Sequence, residues 1–483
     1  MIESTRRKWF ALALLLGVQF MVVLDIAIVN VALPSIQTDL GFSQENLQWV
    51  VSAYALFFGG FLLLGGRIAD IYGRRRLFIA GLITFTTASL VSGLAWSEGS
   101  LIAARAFQGL GAALITPAAL SILTVTFKEG KERNAALGAW GGVGAFGAVA
   151  GVLLGGVLTD ALSWQWIFFV NIPVGIAGLV LAPILLTESR DATVKSFDAP
   201  GAVLVTSSLV VLVYAITQAN SYGWTSIETI GLFTAAAALM AGFLGWEART
   251  SDPLLPFSFF RLRTVVGANV VGLIMGTAMF AMFLMLTLYM QQVLHYSAMK
   301  TGVGYLAVAG TAIVWSAVAA QLVNRLGVKP VLVAGMAFLS AGLIYFTQVS
   351  VDGTYVGDLL PGFLLIAVGL GFSFVPISIA ALAGVQPSEA GLASGLLNTS
   401  QQIGGALGIA ALTAIATRQT GDSIASGSSQ AVALTDGFQS AFYAAAGVAL
   451  VGILVALIVV GRVDLDVAAP EAEPEPEPVL EAA

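Results

Sequence analysis

Leu101-Ile102-Ala103-Ala104-Arg105-Ala106-Phe107-Gln108-Gly109-Leu110-Gly111, running on to Pro117, puts a guanidinium inside an otherwise apolar stretch. The pattern without its charge returns far down the chain as Gly369, Leu370, Gly371 and Pro376. One stretch later in each half, Gly138, Gly147 and Gly151 find the same spacing in Gly395, Gly404 and Gly408. Earlier, the segment Asp70-Ile71-Tyr72-Gly73-Arg74-Arg75 is matched by Asn324-Arg325-Leu326-Gly327-Val328-Lys329. All three pairs stand at nearly one offset, so the chain reads as two homologous units repeated in parallel, an arrangement found in membrane carriers.

The composition agrees. Of the 483 residues, 58% are hydrophobic and 10% charged, and the mean hydropathy is +0.92. A soluble fold of this composition would be coated in apolar surface. A membrane span needs about 20 apolar residues. Fourteen stretches qualify, beginning near Trp9, Leu47, Leu77, Leu101, Asn134, Trp164, Phe197, Ser226, Val266, Thr301, Pro330, Asp358, Leu392 and Phe438. The expected fold is therefore an all-α polytopic membrane protein with 14 transmembrane helices. An amino-terminal six-helix bundle covers 1–196, two inserted helices cover 197–250, and a pseudo-symmetric six-helix bundle covers 251–462. Residues 463–483, where Pro alternates with Glu, read as a disordered acidic tail. Arg6, Arg7 and Lys8 precede an apolar stretch too long for a signal-peptide core, so it reads as a retained first span.

Eighteen of the 21 basic residues fall on one side if the amino terminus is cytoplasmic; only Lys300 and Arg418 fall outside, and Arg105 lies within a span. The asymmetry follows the positive-inside rule and puts both termini in the cytoplasm of a cell bearing this protein in its plasma membrane. The net charge of -6 owes much to the glutamates of the tail, and no basic surface argues for nucleic acid. With no Cys, a single histidine at His295 and no phosphate-binding GxxxxGK[ST] segment, the sequence offers no thiol nucleophile, no metal cluster and no ATP site. An enzyme is not expected, nor a cofactor or a metal.

Asp25 is the acidic residue comparably deep in an apolar run. By the helical rise, it lies roughly 24 Å from the inner end of its span, and Arg105 roughly 6 Å from the outer end of its own. In a hydrocarbon layer about 30 Å thick, both sit in the outer third, and each can present its charge to a shared, hydrated cavity. Apolar surroundings favour a neutral carboxyl and a guanidinium neighbour favours a charged one, so water access decides whether a proton is held. The alternative is a static ion pair that fixes two helices. The corresponding positions of the second half, near Met285 and Leu365, carry no charge, which favours asymmetric duty. Gly147, Gly151 and Gly155 follow the four-residue spacing that lets helices approach closely. Asn30, Gln108, Asn398 and Gln401 are polar residues suited to substrate contacts or to interhelical hydrogen bonds, and Tyr54 is a candidate for an aromatic cavity wall.

The chain resembles the major facilitator superfamily in its fourteen-span drug:proton antiporter branch over nearly all its length. Leu24-Asp25-Ile26-Ala27-Ile28-Val29-Asn30-Val31-Ala32-Leu33-Pro34 resembles the branch's first-helix signature, and Gly66 to Arg76 the superfamily's cytoplasmic loop. Arg105 to Gly111 is similar to the fourth-helix motif. Gly138, Gly147, Gly151, Gly155 and Gly156 resemble the antiport motif, with Val152 where that motif has proline. Trp164 to Gly175 is also typical, with Gln165 in place of an arginine. The resemblance implies that Asp25 and Arg105 couple transport to protons. It further implies a gate in which Asp70, Gly73 and Arg74 close onto the amino-terminal end of the thirteenth span, near Gly391 to Ser394. The expected function is proton-driven efflux of small, mostly hydrophobic compounds. The partners are the lipid bilayer, protons and the small-molecule substrate, and no oligomer is required. A dedicated metabolite exporter or importer and a nontransporting receptor are the alternatives.

Overall fold

The computed structural model describes residues 2–127, 131–190, 197–250, 253–254, 257–385 and 389–461. The acidic tail at 463–483 and the proposed boundary at 196 lie outside them. The described chain forms α1 (Ile2–Leu40), α2 (Gln44–Leu47), α3 (Trp49–Tyr72), α4 (Arg74–Gly93), α5 (Glu98–Thr126), α6 (Lys131–Ala161), α7 (Trp166–Phe169) and α8 (Asn171–Leu185). These are followed by α9 (Ala199–Tyr222) and α10 (Ile227–Glu247). The second half holds α11 (Arg263–Leu288), α12 (Ala298–Gly304), α13 (Leu306–Leu326), α14 (Val328–Phe346), α15 (Leu360–Ala381), α16 (Ala390–Ala425) and α17 (Gln430–Ile458). No strand occurs among the described residues.

Helix ends fall where the sequence supplies partners for orphan backbone groups. Ser97 opens α5 with a reciprocal capping box to Ser100, and the Asp198 side chain accepts from Gly201 N–H at the start of α9. The repeated loops behave alike: α3 ends at Gly73 with φ 110°, and α13 ends at Gly327 with φ 84°. Both backbones occupy the region that favours glycine, which lets each helix hairpin turn without spacer residues.

Thirteen helices among the described residues are long and apolar enough to cross a membrane. The expected thirteenth span, α16, is the one that falls short, although it is a continuous helix of 36 residues. Its sequence is diluted by Asn398, Thr399, Ser400, Gln401 and Gln402. The helix tolerates them because it packs against α3, α9, α11 and α17 and exposes little of its middle to lipid. A buried span does not need a lipid-like surface on every side.

The two halves pack in parallel ways. Glycines of α6 lie on α1, and glycines of α16 lie on α11: an added Cβ on Gly151 would meet the Leu24 carbonyl at 2.8 Å, and one on Gly408 would meet the Thr277 carbonyl at 2.4 Å. The Gly-Leu-Gly repeat has an unexpected register. Gly109 faces Tyr54 of α3 and Gly111 faces Phe85 of α4, whereas Gly369 faces Leu339 of α14 and Gly371 faces Trp315 of α13. Glycines two apart lie on nearly opposite sides of a helix, so a two-residue shift exchanges their partners. By packing, Gly369 is the equivalent of Gly111.

Apolar cores follow the same division. One joins Val18, Phe58, Phe78, Phe85 and Ile122 within the first half. Another fills the second half with Met336, Phe346, Phe363 and Phe442, and continues into the first through Ile28, Ile36, Val50 and Trp164. A small third core ties α9 to α3 and α16 through Leu209, Val213, Leu56 and Ala406.

Candidate transport site

Asp25 and Arg105 meet. Arg105 Nη1 donates to Asp25 Oδ2 at 2.6 Å and to Gln108 Oε1 at 2.7 Å, while its Nε donates to the Val50 carbonyl at 2.9 Å. The second carboxylate oxygen, Asp25 Oδ1, accepts from Gln108 Nε2 at 2.7 Å and from Asn171 Nδ2 at 2.8 Å. Both amides also donate to Ser89 Oγ, which donates to the Phe168 carbonyl at 2.9 Å. Asp25 and Arg105 are 0% and 1% exposed. The guanidinium carbon lies 4.4 Å from the centre of the Tyr54 ring and 5.7 Å from that of Phe168, so cation–π attraction adds to the pairing.

Local packing builds this arrangement. Gly109, one turn beyond Arg105, lets α3 approach so closely that an added Cβ would stand 2.3 Å from the Tyr54 carbonyl. Val50 and the Tyr54 ring are thereby brought onto the guanidinium. Gly151 performs the same service for α6 against Leu24, next to Asp25. Asn171 begins α8, where the short α7 turn feeds its side chain to the carboxylate. The pair is buried because α3, α5, α8 and the two rings enclose it.

The sequence is that of a known family over most of its length. The model of the Major Facilitator Superfamily matches residues 15–409. The chain belongs to the Major Facilitator Superfamily. It is similar to the puromycin resistance protein of Streptomyces alboniger, 39% identical with 95% of this chain and 92% of that protein covered. It is also similar to the cephamycin export protein of Amycolatopsis lactamdurans, 40% identical with 86% of each covered. The tetracenomycin C resistance and export protein of Streptomyces glaucescens is 34% identical over 86% of this chain and 77% of its own length. In fold, the chain matches an auto-inhibited POT family peptide transporter at TM-score 0.68 and 17% identity, covering 93% of this chain and 97% of that one. A bacterial homolog of the human lysosomal transporter Spinster gives a TM-score of 0.66 at 17% identity, with 94% and 97% covered. The protein is thus a multi-pass membrane transporter and not an enzyme.

Within this facilitator, several expected site residues take other places. Gln108 and Tyr54 join the charge network, because α5 and α3 cross at Gly109. Asn30 turns back to the Ile26 carbonyl of its own helix at 3.1 Å. Gln401 lies against α11, where an added Cβ on Gly276 would meet its carbonyl, and Asn398 makes no hydrogen bond among the described residues. Gly147, Gly151 and Gly155 pack on α1, and Gly156 packs on the Ala298 carbonyl of the other bundle. Gly138 has open space where its side chain would be, so it is not a packing residue.

Asp70 pairs with Arg74 at 2.9 Å, one turn away, and does not reach Gly391 to Ser394. The start of α16 carries no side-chain cap. Instead, Glu188 docks at the start of α4, accepting from Arg75 N–H at 3.1 Å, and its carboxylate fills the space a Cβ on Gly73 would need. Arg74 N–H bonds the Ser189 carbonyl beside it.

Among the described residues, the hydrogen bonds between the bundles are Thr399 donating to the Gly59 carbonyl and a group at the end away from these arginines. There Asp160 of α6 accepts from the backbone N–H groups of Ala298 and Met299 at 3.2 and 2.8 Å. Gln291 donates to the Val31 carbonyl and Gln292 to Gln37 Oε1. Asn171, Ser89, Glu188 and Asp160 were not assigned roles from sequence. Asn171 and Ser89 carried the same signal as Arg105, a polar side chain in an apolar run; the two carboxylates sit at span ends, where charge is ordinary.

Proposed function

We propose that the protein is a proton-coupled exporter of small, mostly hydrophobic compounds, working by alternating access between the bundle of α1 to α8 and the bundle of α11 to α17. The basic end faces the cytoplasm, so both termini are cytoplasmic, and the proton gradient drives transport without a cofactor. The observation that carries this is the Asp25 carboxyl, held at 2.6 Å from a guanidinium and 2.7 and 2.8 Å from two amides, all buried. A buried ion pair adds little net stability over apolar packing. Here, its value lies in having two states. When Asp25 takes a proton, the carboxyl must turn from acceptor to donor, and Arg105 loses its counter-charge. The Val50 carbonyl and the Tyr54 and Phe168 rings keep the guanidinium in place meanwhile.

The end bearing Asp160 is latched and Asp70 is disengaged, which is the arrangement expected of a carrier open toward its basic end. In the alternate state, Asp70 closes onto the positive end of α16, with Arg74 and the Gly73 turn, while the Asp160 latch releases. Relatives named for resistance to or export of antibiotics support efflux. A relative named for cephamycin export favours the second reading, a dedicated exporter of one compound.

The test uses purified protein in vesicles with an imposed pH gradient and puromycin as the first compound. Uphill accumulation that a protonophore abolishes is expected, and Asp25→Asn should remove it while leaving the protein inserted. Gradient-driven accumulation by Asp25→Asn with an unaltered pH profile would overturn the coupling assignment.

A further inference from the structure

A cavity of about 280 Å³ lies away from the charge network, walled by both bundles and by the inserted pair α9 and α10. Gly59, Gly60 and Leu63 of α3 form one side, and Val205 of α9 and Phe243 of α10 form another. Val266 and Asn269 of α11 face Thr399, Ser400 and Ile403 of α16 across it. Its size is at the small end for ligand sites, about 300–1,000 Å³.

The lining decides what fits. Among the described residues, no charged side chain lines the cavity. Its polar groups are tied to one another: Ser400 Oγ donates to Asn269 Oδ1 at 3.1 Å, Asn269 Nδ2 donates to the Val265 carbonyl, and Thr399 donates to the Gly59 carbonyl. Water needs two to four polar partners to occupy a cavity, and apolar cavities stay dry or take apolar guests. One polar spot remains, because the Asn269 amide keeps a second N–H and Ser400 its lone pairs. On the rim, Val270 and Phe260 are exposed large apolar side chains.

We infer that this cavity binds uncharged lipophilic molecules with a single hydrogen-bond acceptor, taken from the bilayer as cargo. The cargo assignment rests on the exporter reading, and its physical basis is that the walls belong to different moving parts. α3 lies in one bundle and α11 and α16 in the other, so rocking reshapes the site and links occupancy to conformation. The inserted helices complete the wall that two bundles alone would leave open.

Benzophenone, a neutral aromatic ketone that labels C–H bonds on irradiation, serves as the probe with the full chain in phosphatidylcholine vesicles and no pH gradient. Saturable labelling of the segments 265–273 and 396–403 is expected, competed by unlabelled fluorenone. Val266→Trp and, from the opposite wall, Ile403→Trp should each cut it by about tenfold by filling the space. Asn269→Ala should weaken it by about three- to tenfold through the lost hydrogen bond. A benzophenone carrying a quaternary ammonium should not label these segments. Unsaturable labelling spread over outward residues such as Ile230 and Leu454, survival of labelling in both Trp variants, or equal labelling by the cation would overturn the site. Failure of fluorenone to compete would assign the space to a lipid chain and overturn the cargo reading. Transport driven by a gradient is measured separately, so saturable binding without it sinks the exporter reading and leaves the site standing.

Discussion

The two bundles solve the same packing problem with different chemistry. In the second, no charge stands at the counterpart of Asp25: the crossings match Leu24 to Thr277, and so Asp25 to the buried Ala278. Further along α11 lies a neutral cluster, where Thr287 and Tyr305 hydroxyls are 2.9 Å apart, Tyr305 donates to the Phe283 carbonyl, and its ring packs on Phe283 and Phe363. Met285, near the position the sequence offset matches to Asp25, lies further along α11 than the counterpart the crossings give, Ala278; both are buried among apolar groups. The glycine crossings α1 on α6 and α11 on α16 are alike, yet only the first sits beside a charge. A bundle of this design therefore closes without a buried ion pair.

The largest effect should come from separating the pair's two duties. Arg105→Met alone leaves the Asp25 carboxylate uncompensated and should cost about 3–5 kcal/mol, whereas Asp25→Leu with Arg105→Met should restore thermal stability to near that of the parent. If the double variant melts normally and has lost all gradient-driven transport, the comparison stands; if it still accumulates substrate uphill, the charge is structural. Next, Asn171→Ala removes a hydrogen bond to a charged group and should cost about 1.5–3 kcal/mol. A neutral hydrogen bond in the other bundle, removed by Thr287→Val, should cost nearer 1 kcal/mol. Only the former should alter the pH dependence of transport in vesicles, and equal pH profiles would blur the distinction between halves.

The crossings should respond alike. Gly151→Val and Gly408→Val each force a side chain into a neighbouring backbone and should cost about 1–3 kcal/mol, read as loss of folded protein on heating in detergent. A large cost in one and none in the other would break the equivalence of the crossings. Gly138→Ala should fall within about 0.5 kcal/mol of the parent, since its position is open. The smallest effect belongs to the latch. Asp160→Asn should cost about 1 kcal/mol of closed state, read as faster labelling of a single cysteine placed at Ser35. The chain has no native Cys to interfere. Unchanged labelling would remove Asp160 from the latch.

Much of this was legible early for physical reasons. Length and apolarity alone mark the helices, because a bilayer leaves the backbone no other way to satisfy its hydrogen bonds. Arg105 and Asp25 announce themselves by cost, since a charge in a span must have a partner. Gly147 and Gly151 follow from spacing. Gly138 misled because spacing does not say whether another helix lies opposite. The contacts of Gln108 and Tyr54 with the charge pair were not legible, because a polar or aromatic side chain in a span has the same signature whether it meets substrate or its own neighbours.

The linear chain settled the class, the two-fold repeat, and which two charges must find each other, because those properties are local or periodic. The folded arrangement alone decided that Asn171 and Ser89 complete the carboxylate's shell, that Gly369 takes the role of Gly111, and that Asp160 rather than Asp70 holds a helix end in this state. Those contacts join elements far apart in sequence. Their geometry depends on helix rotation and crossing, which a periodic pattern leaves free and packing fixes.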